Sequence, residues 1–428
     1  MAHVDIFSPF RRRSELHEDR LTWGLAVALK YAPELQRFLR DLVMSQIPSD
    51  RWRKDAGWDP AAISTQTAQV GADAAFVVSV LVSDASLTAP VNVGKADRVA
   101  RYDGVVEYSD GLVLIIENKP RIGDVWTGQL SPSKDLFKDL PDDVELYECV
   151  VSLEWAEILE GILSYTGSPV ASYPERSIAG DFLSFVKDLH PSLSPYRTFE
   201  LCGTRPEALA RRIEGLLESI GRGIATEVGT RPGASPYLHL PNEAVRQLHL
   251  SADRETNSGD AVLRQSIYPA DTVGQARAFL ERVDPAAFLA LPDVGWAVQV
   301  NLHFSHMQKH LVWADSTMSA KDYLAHFTMN PRDIGRKLFD DVSLADLIRK
   351  WSDLGLVAAR DIGSLNRAFE ETQRSFINVV PGFQLTREWP MSEIVGKEAE
   401  GRLEEMLVDA LRVPLGTWDE ILPEWVST

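Results

Sequence analysis

Residues 101–119 read RYDGVVEYSDGLVLIIENK, and their reading decides the fold of the first half of the chain. An alternating segment, the turn residues Ser109-Asp110-Gly111 and an apolar run over 112–116 predict a β-hairpin. Side chains alternate along a strand, so Glu117 and Lys119 share one face and Asn118 points to the other. With Asp110 at the centre of a three-residue loop, Tyr108 pairs with Leu112 and, further out, Asp103 pairs with Glu117. A turn centred on Asp110-Gly111 would instead set Asp103 against Asn118 and spoil the arrangement. Directly opposed residues have Cβ atoms about 5 Å apart. Two carboxylates that close repel each other, and a divalent cation bound by their hard oxygens removes the conflict. The run 112–116 is apolar on both faces, as in a strand covered on both sides, which puts its polar end at the rim of a core.

The chain around this hairpin has 428 residues, too many for one ordinary core, and predicts two or three domains. With 45% hydrophobic and 25% charged residues it has the composition of a soluble globular protein. It contains no run of about 18 apolar residues, so no membrane span is expected. The start, MAHVDIFSPFRRRSEL, lacks the apolar stretch of a secretory signal. Two cysteines, Cys149 and Cys202, suit a reducing cytoplasm and give no zinc spacing. The net charge of −18 argues against a protein that coats nucleic acid along its whole surface, although a local basic groove is compatible with it. Residues 1–54 hold ten cations against seven acids, a local +3 that leaves −21 for the remainder.

Upstream of the hairpin, residues 14–47 predict two helices, the second opened by Pro33, with Glu18 in the first turn or two of the first. Residues 61–83 predict one or two strands with a bend at Gly71. Downstream, Pro120 stops the hairpin's second strand, and Gln129 falls on a short helix or loop before Ser131-Pro132-Ser133. A strand over 144–153, a helix over 154–163 and another over 180–189 lead to HPSLSPY at 190–196, the expected boundary between domains 1–190 and 191–428. In the second part a strand is expected over 196–201, helices over 207–220 and 270–283, and a strand over 296–304. Residues 321–356 read as mostly helical, 377–388 as a strand pair broken at Pro381-Gly382, and 392–411 as one helix. The fold class is thus α/β for the first domain and α+β for the second.

The hairpin resembles the core of the PD-(D/E)xK nuclease superfamily, with Tyr102-Asp103 standing for the first motif and Glu117-Asn118-Lys119 for the second. HEDRLTWGLAVAL with YAPELQRFL is similar to the opening helices of bacterial members; Ser64-Thr65-Gln66 precedes the Asp strand, and Gln129-Leu130 follows the Lys. The resemblance covers about residues 14–190, and it departs from the motif's name at Tyr102, which stands where the name has Pro. It implies a restriction-endonuclease-like domain, a central mixed sheet flanked by helices. It also implies Mg²⁺, with Mn²⁺ as a substitute, held by Asp103, Glu117, the Asn118 backbone carbonyl and Glu18. Lys119 is then a catalytic residue that orients the attacking water, and Gln66 and Gln129 stand in the second shell of ligands. Phosphodiester hydrolysis must stabilise charge on phosphoryl oxygens and supply hydroxide at neutral pH, which a bound metal does. A Lys beside two carboxylates holds its proton, which favours an electrostatic clamp over a general base.

The expected partner is therefore nucleic acid, DNA first, with a protein partner or a second copy of the chain beside it and no membrane. Restriction, repair and defence against phage are the roles such nucleases serve. The competing readings are a catalytically inactive module that binds protein through its acidic surface, and an enzyme on a small molecule with its site in the second half. His303, His306 and His310 have helical ligand spacing, but 298–304 alternates as a strand and puts His303 on a polar face. Arg11-Arg12-Arg13 reads first as a basic terminus, and Trp155, Trp351 and Trp425 as core residues before stacking platforms. There is no Walker A or GxGxxG motif.

Overall fold

The computed structural model describes residues 17–48, 62–67, 74–85, 102–119, 144–224, 226–229, 236–254, 260–306, 309–338, 341–372 and 374–418. The chain divides into two compact units between Arg197 and Thr198, and its class is mixed α/β.

In the first unit the described elements run α1 (His17–Tyr31), α2 (Pro33–Ser45), β1 (Ala62–Thr67), β2 (Phe76–Ser83), β3 (Tyr102–Glu107), β4 (Leu112–Lys119), β5 (Glu145–Glu154), α3 (Trp155–Thr166) and α4 (Tyr173–Leu189). The sheet order is β1-β3-β4-β2-β5, with β4 in the centre. β3 is antiparallel to β1 and β4, whereas β2 runs parallel to β4 and β5. Every residue of β2 and β4 is buried, as the two-sided apolar run requires. The helices lock together through small residues: Gly24 of α1 sits against Phe182 and Phe185 of α4, and Gly161 of α3 receives the Phe38 ring of α2. Ser172 caps α4 in a reciprocal bond with Glu175, which starts that helix earlier than residue 180. Gly71 lies outside the described residues.

The hairpin takes the register with Asp110 at its centre, Gly104 facing Ile116 and Val106 facing Leu114. Gly111 adopts φ +86°, and the Tyr108 N–H donates to Leu112 O at 2.8 Å. A glycine is needed at that left-handed position.

The second unit is an antiparallel sheet with helices on one face. Its strands are β6 (Val228–Gly229), β7 (Tyr237–His239), β8 (Gln247–Arg254), β9 (Ala261–Ile267), β10 (Ala297–His306), β11 (Lys309–Asp315), β12 (Gly335–Leu338) and β13 (Phe376–Pro390). The order is β11-β10-β13-β9-β8-β7-β6, and β12 pairs with β13 as well. Alternation sends Leu302, Phe304, Val379, Phe383, Leu385, Leu263 and Leu250 to the apolar face. There they meet α6 (Pro206–Gly223), α7 (Val273–Arg282), α8 (Pro285–Leu289), α9 (Ala320–Met329), α11 (Ile362–Thr372) and α13 (Leu403–Gly416), and Phe279, Phe288 and Tyr323 surround Phe383 edge-on or tilted. The opposite face is lined by Asn301, His303, Gln384, Thr386, Ser266 and Arg264.

Three expectations fail in this unit. Residues 196–201 are not a strand: α5 (Phe199–Cys202) starts at Thr198, whose hydroxyl accepts the Leu201 N–H. β13 is one strand, not two. On one edge it runs unbroken along β10, with Pro381 opposite Leu302; on the other its register with β12 ends at Val379 and that with β9 begins at Leu385, a gap that tolerates the missing Pro381 N–H. Residues 321–356 are mostly helical as expected, with the short β12 between α9 and α10 (Asp341–Asp353). The helix over 392–411 is two, α12 (Met391–Ala399) and α13, because Gly401 turns left-handed at φ +68° and the Arg402 N–H closes back on Lys397 O.

Candidate active site

The site lies where the β3–β4 ladder ends. The last ladder pair is Gly104 with Ile116; two residues further along β4, the Asn118 N–H donates to Asp103 Oδ2, at 2.9 Å. The Asp103 carboxylate is thus fixed against the backbone of the Glu117-Asn118-Lys119 triplet. Lys119 Nζ is 3.2 Å from Glu117 Oε1, as expected of two residues on one face of a strand. Asp103, Glu117, Asn118 and Lys119 are all buried, none more than 8% exposed. Charged groups sit so deep only when paired or when they hold an ion.

The side chain of Asn118 turns the other way and accepts from the Trp155 indole N–H at 2.9 Å. This pins the end of β4 to the first turn of α3. Trp155 is fully buried, the core residue its sequence context predicts, and its polar edge also positions the triplet. Tyr102 lies within reach of the Glu117 charge: burial, and then that charge, push its phenol well above the ordinary value.

Gln66 falls between the Thr65–Gly104 and Thr67–Tyr102 pairs of β1 and β3, and so stands opposite Asp103 in the sheet. Its side chain, like that of Glu18, lies outside the described residues, as does Gln129 altogether. Glu18 is in the first turn of α1. Thr22, one turn further on, lies against Gly104. The other end of α1 leads to the hairpin turn, since Gln36 Nε2 donates to Leu29 O and the Tyr108 hydroxyl donates to Gln36 O. Glu18 is therefore at the Asp103 end of the hairpin. It is on the sheet face of Gly104 and Ile116, opposite the one to which alternation sends Glu117 and Lys119.

No protein-family model, curated protein or solved structure matches the chain. Among the described residues no group of three or more His, Cys, Asp or Glu side chains is placed to hold a metal ion. His303 and His306 are on β10 and His310 is on β11, in the hairpin of those two strands. His303 is buried and reaches Asp271 at 3.3 Å. Among the described residues no helix is long and apolar enough to cross a membrane.

Proposed function

We propose that the first unit is a metal-dependent nuclease of the restriction-endonuclease-like kind, hydrolysing phosphodiester bonds in nucleic acid, DNA first. The observation that carries this reading is the Asp103 carboxylate seated on the Asn118 N–H, between Glu117 and a Lys119 that touches Glu117. Two neighbouring, nearly buried carboxylates form a hard-oxygen donor set of the type Mg²⁺ and Mn²⁺ take, with water and substrate supplying the other ligands. Asp103, Glu117 and the Asn118 carbonyl are the proposed ligands, and Glu18 is a further one that would have to reach them around the open end of the sheet. When bound, such an ion supplies Lewis acidity and a hydroxide at neutral pH.

The chain's own contribution is positional. The Asn118 N–H orients Asp103, Trp155 holds the triplet in place, and Glu117 keeps the Lys119 ammonium directed at the site, where it offsets charge developing on phosphoryl oxygens. β4 is central and its carboxyl end is the site, the location ligands prefer in open α/β sheets. The test is nicking of supercoiled plasmid in Mg²⁺ or Mn²⁺ against EDTA. Metal-dependent nicking lost in Glu117→Gln and Lys119→Ala supports the reading; nicking indifferent to both substitutions and to EDTA refutes it.

A second reading, a nuclease fold without catalysis that acts as a protein-interaction module, is favoured by one observation. The described carboxylates at the site are two, with no third to complete a cluster. Under it, the same plasmid assay stays silent in every metal while the fold remains intact.

A further inference from the structure

The second unit carries a surface that the nuclease reading does not use. On the polar face of its sheet, Trp313 of β11 is 55% exposed, and it pairs with His303, which pairs in turn with Val380. In the next row, Ser305 faces Asn378 and Asn378 faces Arg336 of β12. Beyond it Phe376 faces Leu338, which is 76% exposed. Directly opposed residues share a face, so Trp313, Arg336, Phe376 and Leu338 all open on the same side. The Arg336 guanidinium carbon lies over the Phe376 ring, 4.2 Å from its centroid, and Arg336 is exposed.

Two more arginines reach the β12 strand. Arg277 of α7 comes to it from the helix-bearing face, with a guanidinium nitrogen against Gly335, and the carbonyl of Arg332, in the short 3₁₀ turn leading into β12, holds Lys337 Nζ. Among the described residues Arg277, Arg332 and Arg336 make no ion pair. Asp333, the neighbour of Arg332 in sequence, is engaged with His326 and Lys337. In a chain of net charge −18, three arginines with no ion pair among the described residues, near the exposed Trp313 and Leu338, suit an anion with flat, apolar groups attached.

We infer that this end of the sheet is a platform for single-stranded nucleic acid, with bases stacking on Trp313 and on the Arg336–Phe376 pair and phosphates taken by Arg277, Arg332 and Arg336. Aromatic side chains on an open sheet face bind unpaired bases whatever their sequence, and arginines along the edge track the backbone. Duplex offers no free base faces to Trp313, and an anionic membrane offers no rings at all.

The test uses the full chain in EDTA, so that binding is read without cleavage. The probe is a 5′-fluorescein 20-mer of mixed-sequence single-stranded DNA, followed by polarisation from low to high KCl; the same sequence as duplex and phosphatidylserine vesicles serve as competitors. Trp313→Ala should weaken binding at least tenfold with an unchanged salt slope. The triple variant R277Q/R332Q/R336Q should lower the slope of log K against log salt by about 2, at about 0.7 per phosphate contact on a single strand. All four positions are solvent-facing, and circular dichroism melts confirm that the variants fold. The platform is overturned if the wild-type chain does not bind the strand, if both variants bind as wild type does, or if duplex or vesicles compete better than the strand. Binding without nicking in Mg²⁺ would sink the nuclease and spare the platform; nicking without this binding would do the reverse.

Discussion

The two ends of the β3–β4 hairpin hold buried carboxylates in opposite ways. At the turn, Asp110 meets the Arg40 guanidinium at 2.5 Å, with both side chains under 10% exposed. Arg40 also lies over the Tyr108 ring, and the Tyr108 hydroxyl closes on Gln36 O. One acid, one base and one ring form a closed clamp between the hairpin and α2. At the open end two acids, Asp103 and Glu117, gather around a main-chain N–H and one lysine. The same strands thus carry a matched charge where the fold must be held and like charges side by side where, on the proposal above, chemistry is done. Stability and activity should separate along the hairpin, and substitutions at its two ends can break or sharpen that contrast.

The largest effect is expected on activity at the open end. Glu117→Gln should lower plasmid nicking by at least about a thousandfold, some 4 kcal/mol in the barrier. Urea unfolding should show a smaller loss than at the turn, since Lys119 loses its Glu117 partner while the Asp103 charge remains at the site. A Glu117→Gln chain that nicks normally but unfolds easily would reverse the contrast. Next comes Asp110→Ala, which leaves the Arg40 guanidinium buried without its counter-charge. A cost of about 3–5 kcal/mol is expected in urea unfolding, most of it recovered in Asp110→Ala/Arg40→Met. If Asp110→Ala costs less than 1 kcal/mol, the turn clamp is not what holds α2 on the hairpin.

Trp155→Phe is intermediate in kind and in size. It keeps the aromatic packing but removes the indole N–H from Asn118 Oδ1. We expect about 1–2 kcal/mol in unfolding together with about a tenfold fall in nicking, because the triplet's placement loosens. A fall in stability alone would confine Trp155 to the core.

What the sequence discloses along this hairpin is what is local. Ser109-Asp110-Gly111 contains its own turn instruction in a glycine at φ +86°, and a period of two assigns Glu117 and Lys119 to one face and Asn118 to the other. Arg40 as partner of Asp110 lies 70 residues away, and Trp155 is 37 from Asn118, so neither pairing has a sequence signature. The same limit explains β13. Pro381-Gly382 reads locally as a turn, yet the strand continues because Pro381 happens to face the gap between β12 and β9. Gly382 also leaves room for His303, whose Nε2 would lie 2.5 Å from any Cβ there. In both cases the deciding partner comes from another part of the chain.

The smallest effect belongs to the Tyr108 hydroxyl. Tyr108→Phe leaves the Gln36 carbonyl without that donor, about 1 kcal/mol at neutral pH. Its pH dependence is more telling. Burial pushes the Tyr108 phenol far above its ordinary value, against the lowering pull of Arg40, with Asp110 and Asp41 adding to the rise. Below pH of about 10 the phenol is protonated folded or unfolded, and its full contribution is present. Above that, the unfolded chain releases the proton while the folded chain keeps it, so stability falls by up to about 1.4 kcal/mol per pH unit until the folded group also titrates. Tyr108→Phe removes one such group, and its unfolding free energy should fall less steeply with pH than that of the wild-type chain. In absorbance at 295 nm, the number of tyrosines that ionise only on unfolding should drop by one. A phenol that titrates freely near pH 10 in the folded wild-type chain would mean that the clamp at the turn is open to water. The hairpin would then have no closed end to set against its open one.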